Sequence, residues 1–150
     1  MQRSLIDIQN AYDLLVAEYT EKSDEDEKHF DMQGSILKDS QAVQIQLMQR
    51  WQNYHRKTQG VLISVKNDLE TAYASALKRI KGTSKIEYTA TELKSVVEGE
   101  SDYVEYKFWY NRLFIQEKKA GDMVKLCEQR HWVLKELVTT MVHDGDQWII

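Results

Sequence analysis

Leu5, Ile8, Tyr12, Leu15 and Tyr19 recur at steps of three and four, which sets them on one face of a first helix. The acidic run at residues 23–31 follows, and its self-repulsion predicts a mobile loop or linker. The same run could also act as an acidic decoy or a docking site for a basic partner. From residue 37 to residue 81, Leu47, Trp51, Tyr54, Leu62, Val65, Leu69, Ala72, Ala76 and Ile80 keep helical spacing. The pattern crosses Gly60 with no turn cluster, so one long helix is expected, with Gly60 as a place for it to bend. Such a helix would be on the order of 65 Å long, too long to pack against itself in a compact monomer. Gly82 is the expected C-cap, with a polar loop over residues 83–88.

Thr89 followed by Glu92 is a capping-box signature for a short helix through Val97. The break Glu98-Gly99-Glu100-Ser101-Asp102 comes next, where Ser101 or Asp102 can cap the last helix. In that helix Tyr103, Tyr106, Tyr110, Leu113, Glu117, Ala120, Val124, Cys127, His131, Leu134, Val138 and Met141 alternate steps of three and four. A spacing sustained this long is a coiled-coil seam. Trp109, Phe114, Met123, Leu126, Trp132 and Leu137 flank it and widen the apolar band beyond what one partner helix covers. Two arrangements satisfy the band: a bundle with the chain's own middle helix, or oligomerisation through Tyr106, Tyr110, Leu113, Val124, Leu134, Val138 and Met141. After it, Asp144-Gly145-Asp146 reads as a turn and Trp148-Ile149-Ile150 as an apolar end that docks back on the bundle. The fold class is mainly α, in three segments: an N-terminal helix and acidic linker (1–34), a long helix with a basic segment (35–88), and a helical oligomerisation region (89–150).

Composition changes this picture through charge. The chain has 150 residues and a formal net charge of −4, yet its cations gather in the middle. Residues 49–88 hold eight basic residues against three acidic ones. Residues 1–48 carry a net −6 and residues 89–150 a net −3. Clustered Lys and Arg interleaved with Trp51, Tyr54, Tyr73 and Tyr88 suit a single-stranded nucleic acid, with cations for phosphates and rings for bases. Lys78, Lys81 and Lys85 step by three and four, and Arg79 flanks them. Arg56 and Lys57 are secondary cations, and Tyr88 is placed to stack on a base. About four phosphate contacts per protomer would give a salt slope near −3 on a single strand. Lysines in a last helical turn also favour the helix dipole with no ligand at all, so a solvated helix end explains the cluster equally well on one protomer. In a ring the patch repeats, and multivalency turns weak contacts into useful affinity.

No phosphate-cradling glycine loop is present, and the four histidines and one cysteine lack metal-ligand spacing. Cys127 and His131 fall on the heptad seam and read as packed side chains. Glu98, Glu100 and Asp102 sit where acids favour a following helix N-terminus. No catalysis, cofactor or metal is expected. The lone cysteine and the lack of a long apolar run or a signal-peptide pattern predict a cytoplasmic protein.

Residues 47–137 resemble the UvsY family of recombination mediators from T-even-type phages. The likeness rests on Trp51, the basic segment Ala76-Leu77-Lys78-Arg79-Ile80-Lys81-Gly82, then Glu92-Leu93-Lys94-Ser95-Val96, an acidic break, and a helix containing Phe108-Trp109-Tyr110. The resemblance implies a helical, ring-forming accessory protein of about six or seven copies, with no activity of its own. It would bind single-stranded DNA in the host cell cytoplasm and help a RecA-like recombinase displace the single-strand-binding protein. The family's DNA-binding motif, Leu-Lys-Ala-Arg-Leu, is matched by Leu77-Lys78-Arg79-Ile80 with one residue fewer, which carries its role to Lys78 and Arg79. A reading from a different class also explains the heptads: a helical oligomeric adaptor or assembly scaffold that binds only proteins, with the basic patch as its docking face.

Overall fold

The computed structural model describes residues 3–28, 37–83 and 85–144. Four helices follow one another: α1 (Leu5–Lys28), α2 (Leu37–Thr83), α3 (Ala90–Glu98) and α4 (Ser101–Asp144). No strand occurs among the described residues. α2 runs unbroken through Gly60 for 47 residues, about 70 Å of helix.

Cross-helix pairs fix the topology. Gln116 bonds Tyr54, Tyr73 stacks near Tyr103, and Arg79 meets Glu100, so α4 runs antiparallel to α2. Lys57 meets Glu18 and Arg50 meets Glu25, so α1 is antiparallel to α2 as well. Tyr106 reaching Arg3 and Arg130 reaching Asp26 make α1 parallel to α4. The result is an elongated three-helix bundle with the short α3 at one end. Length is therefore no obstacle to burial within one chain: α2 is covered along its flank by a helix of comparable length. Of the two arrangements open to the apolar band of α4, the bundle with the chain's own middle helix is present.

The core follows the periodicity closely. Tyr106, Leu113, Ala120, Cys127 and Leu134, seven residues apart, are all buried, while the alternate seam positions Tyr103, Tyr110, Glu117, Val124, His131 and Val138 are half-buried. Facing them, Trp51, Tyr54, Val65, Leu69 and Ala72 are buried on α2, and Ile8 and Leu15 on α1. Trp51 and Tyr54 meet edge to face at 5.8 Å, and Tyr19 closes on both rings. Such pairs add about 0.5–1.5 kcal/mol each beyond area burial.

A polar layer interrupts this core. The Tyr54 hydroxyl donates to the Leu15 carbonyl at 2.6 Å and accepts from the Gln116 amide at 3.0 Å, joining all three long helices through one oxygen. One turn on, Thr58 is fully buried and donates to the Tyr54 carbonyl. His55 Nε2 lies 2.7 Å from Glu117 Oε1. The imidazole packs over Gly121, where a Cβ would lie 3.4 Å from His55 Nε2, an ordinary contact distance. Satisfied buried groups of this kind fix register, because a slipped helix would leave each of them unpaired.

Several local expectations are revised. The acidic run is helical through Lys28, because its charges are met from the other helices: Glu25 by Arg50 at 2.7 Å, and the buried Asp26 by Arg130, whose Nη1 donates to both carboxylate oxygens at 2.8 and 3.0 Å. Residues 29–36 lie outside the described residues, as does the apolar end beyond Asp144. Gly82 does not cap α2 but lies within it, since the helix continues to Thr83. At α4 neither Ser101 nor Asp102 caps; the helix already starts at Ser101, and the Glu100 carbonyl accepts the Val104 N–H. The Thr89–Glu92 capping box forms as expected, with both reciprocal bonds present.

Truncating a seam residue tests how far this core carries the fold. Leu113→Ala should cost about 2–5 kcal/mol in urea unfolding, since Leu113 is wholly buried. Ile63→Ala, on an exposed position of α2, should stay within about 0.5 kcal/mol of the parent.

Candidate nucleic-acid interface

The basic residues divide into two groups. Lys78, Arg79, Lys81 and Lys85 gather at the α2 C-terminal end, beside α3. Arg56 and Lys57 lie 22 residues back along the same helix, about 33 Å away. The exposed Lys66 lies on α2 between them, so the cations are spread along the rod, with the densest group at its end.

Within the terminal group, Lys78, Lys81 and Lys85 are exposed, and no ion pair engages them among the described residues. Arg79 differs. Its guanidinium donates to Glu100 at 2.6 Å across the α3–α4 junction, so its charge is already partnered. The sequence places Glu100 as an acid favouring a helix N-terminus; the tertiary structure gives it this second task of tying α2 to the start of α4. Lys57 is likewise engaged, by Glu18 at 2.8 Å, while Arg56 is exposed.

Tyr88 is half-buried. It packs with Leu93 and Val96 against the small core of Ala76, Ile80 and Val97. Its ring shores up α3 and leaves little face for a base. An open depression of about 360 Å³ lies beside it, lined by Ile80, Lys81, Ile86, Glu87, Tyr88 and Leu93. Ile86, two-thirds exposed at its rim, is an apolar surface at this end that sequence reasoning passes over. Its only signal is position, an isoleucine in a polar connection just past a helix end.

The residues assigned to oligomerisation are placed as follows. Tyr106, Leu113 and Leu134 are buried inside the bundle, and Tyr110, Val124 and Val138 are half-buried. The Met141 side chain lies outside the described residues. The seam thus meets helices of its own chain first.

No group of three His, Cys, Asp or Glu side chains able to hold a metal occurs among the described residues. Nor is any helix of the described residues long and apolar enough to cross a membrane. Burial, with the Asp26 carboxylate adding to it, pushes the Cys127 thiol up to about 11. Burial likewise raises the phenols of Tyr19, Tyr54, Tyr103 and Tyr106 above their ordinary 10.0. Comparison with known proteins gives no matching family model, no similar curated protein and no similar solved structure.

These shifts carry a pH signature. Each group is neutral in the folded state at pH values where the unfolded chain already ionises, so their contribution is full below about pH 9 and is lost as pH rises through the raised values. Urea unfolding should therefore show a lower midpoint at pH 10.5 than at pH 8, and an unchanged midpoint would contradict the burial of these groups. The Cys127 thiol should resist alkylation at pH 8 in the native protein and react readily in denaturant.

Proposed function

We propose that this chain is a non-catalytic, single-stranded-DNA-binding recombination mediator of the UvsY type, helping to load a RecA-like recombinase in place of single-strand-binding protein. The observation that carries the reading is the exposed triad Lys78, Lys81 and Lys85 at one end of a rigid bundle. Lys78 and Lys81 sit on a preformed helix end, with Lys85 in the connection just beyond it, and cations so placed meet a sugar–phosphate backbone and read no base sequence. Arg56 extends the path only for a strand long enough to run about 33 Å along α2.

The mechanism is presentation. Several copies, each holding a strand weakly, would hold it firmly together while leaving bases accessible to a recombinase. Homo-oligomerisation belongs to this proposal, and so do the partners and the cytoplasmic setting. With Arg79 held by Glu100, about three phosphate contacts per protomer remain, which gives a salt slope near −2 on a single strand. The roles first assigned to Arg79 and Lys57 pass to a reserve: each is available only if its carboxylate partner lets go.

A second reading, a protein-only adaptor or scaffold, is favoured by one specific feature. α4 exposes Val104, Phe108, Ile115, Leu126, Val133 and Leu137, surface that suits protein contacts and contributes nothing to phosphate binding.

Fluorescence anisotropy of a labelled strand of about 40 nucleotides separates the two. The mediator reading expects affinity to fall about twenty-fold between 50 and 200 mM salt. It also expects K78E/K81E to abolish binding with the fold intact by circular dichroism. Glu100→Gln should release Arg79 and tighten binding a few-fold, by about 0.5–1 kcal/mol. No binding at low salt would leave the adaptor reading standing.

A further inference from the structure

The part of α4 that borders α2 on its solvent side carries a row of lysines and rings. A seven-residue repeat sorts the side chains of a helix into columns, and that of Tyr106, Leu113, Ala120, Cys127 and Leu134 faces the core. His55 of α2 packs beside Gly121, which sets the column running from Lys107 to Lys135 along the α2 flank. α1 lies on the opposite flank, where Tyr12 meets Trp109 and Asp26 meets Arg130.

The Lys107 column and the outward one beside it, from Val104 to Thr139, hold four lysines against one acid: Lys107, Lys118, Lys125 and Lys135 against Glu128. Their other six members are uncharged, Phe114 and Trp132 among them. Over the same span, the two outward columns on the α1 side hold two bases against three acids. α4 as a whole balances seven bases against seven acids, so the excess belongs to one face. Lys107 is half-buried and the other three lysines are exposed, and no ion pair engages any of them among the described residues. Lysine and ring are also paired along the row. Lys118 Nζ lies 4.9 Å from the centre of the Phe114 ring, and Lys135 Nζ 4.8 Å from that of Trp132. At the near end Lys107 Nζ lies 5.1 Å from the Tyr110 ring. Trp132 is 59% exposed and Phe114 40%.

The row is continuous with the cationic tip. α3 packs on α2 beside Ile80 and Tyr73, and Tyr73 meets Tyr103 of α4, so the tip opens onto this same flank. Lys66 shares its edge of α2 with Gln59 and Tyr73, which meet Glu117 and Tyr103, and it adds one more exposed cation there.

We infer that this row is a second stretch of strand-binding surface, carrying a single-stranded nucleic acid from the tip along the α2–α4 flank. The inference rests on the strand-binding reading above and assigns it further residues. An exposed cation–π contact is weak, so each lysine can turn onto a phosphate and leave the ring face to a base. An acidic protein would use the lysines but not the rings, and a duplex keeps its bases stacked within itself; the two features together match a single strand. From Lys107 to Lys135 the row runs about 42 Å, with gaps of about 10–17 Å between successive lysines. Contacts so widely spaced hold little by themselves. The tip tethers the strand and raises its local concentration at the row. The row's contacts add to those of the tip, so the salt dependence is steeper than the tip alone gives.

Anisotropy of the same labelled strand on the full chain tests it, with K118Q/K125Q as the row variant, both positions being exposed. This variant should keep its helicity, raise Kd at least roughly ten-fold at 50 mM salt, and flatten the salt slope by about 1.4, the share of two phosphates. Trp132→Ala should raise Kd about five-fold or more through the lost stacking. Strand addition should quench tryptophan fluorescence, and Trp132→Phe should remove most of that quench. Parent affinity and slope in K118Q/K125Q, with binding still lost in K78E/K81E, overturn the row and leave the tip reading standing. A quench unchanged by Trp132→Phe also overturns the row. Polyglutamate that displaces the strand as well as an equal charge of unlabelled strand assigns the row to an acidic protein and overturns it likewise. A parent that binds no strand overturns both readings.

Discussion

Tyr106, Leu113, Ala120, Cys127 and Leu134 form a line down α4, seven residues apart, pressed against α2. A strict seven-residue interval keeps one edge of a helix facing a neighbour only if the two helices wind gently about each other, as in a coiled coil. That constraint sets the rest. It holds one edge of α4 along the length of α2, which the chain reversal at α3 lays antiparallel, with α1 packed against both. It also places the polar layer around Tyr54 where three helices meet. At that level Ala120 is buried and the His55 ring packs beside Gly121.

Electrostatics completes what the seam begins. The chain segregates charge along its length, with acidic flanks around a basic middle. Folding returns much of that charge to internal pairs: Glu18 to Lys57, Glu25 to Arg50, Asp26 to Arg130 and Glu100 to Arg79. The Asp26–Arg130 pair is mostly withdrawn from water, and breaking such a pair by removing one partner costs about 3–5 kcal/mol. The other three are more exposed and contribute modestly to stability, about 0–1 kcal/mol each. Their larger effect is selective, since they engage Arg50, Lys57 and Arg79 and leave Arg56, Lys66, Lys78, Lys81 and Lys85 as the exposed cations of the basic stretch.

The molecule thus presents two surfaces of different chemistry: a cationic tip where α2 ends and an apolar stripe along the back of α4. The stripe and two of the tip's lysines, Lys78 and Lys81, project from helices whose opposite faces are locked in the core, while Lys85 lies in the connection between α2 and α3. A mediator that holds a strand and assembles with itself needs two such surfaces kept apart. An adaptor would need only the second. The tip also carries Glu87 and Glu100 among its lysines, so its field is local, and contact distance rather than long-range steering governs what it binds.

The sequence by itself determined the helices and their buried edges. Of the nine apolar positions read along α2, eight are buried and Leu62 is half-buried. The capping box at Thr89 was equally legible, because periodicity and capping are local properties written in adjacent turns. The helical state of residues 23–28 was not legible, because the charges that compensate Glu25 and Asp26 lie far along the chain on Arg50 and Arg130. The free cations could not be told from the engaged ones for the same reason: Arg79 and Lys78 are neighbours in sequence, and only the turn of α3 brings Glu100 back to one of them. Nor could periodicity say which copy fills the seam of α4, since a heptad face is satisfied by any apolar helix of matching length. Only the tertiary structure decided that the partner is the chain's own α2, because the short α3 reverses the chain and delivers α4 alongside α2 before any second molecule is needed.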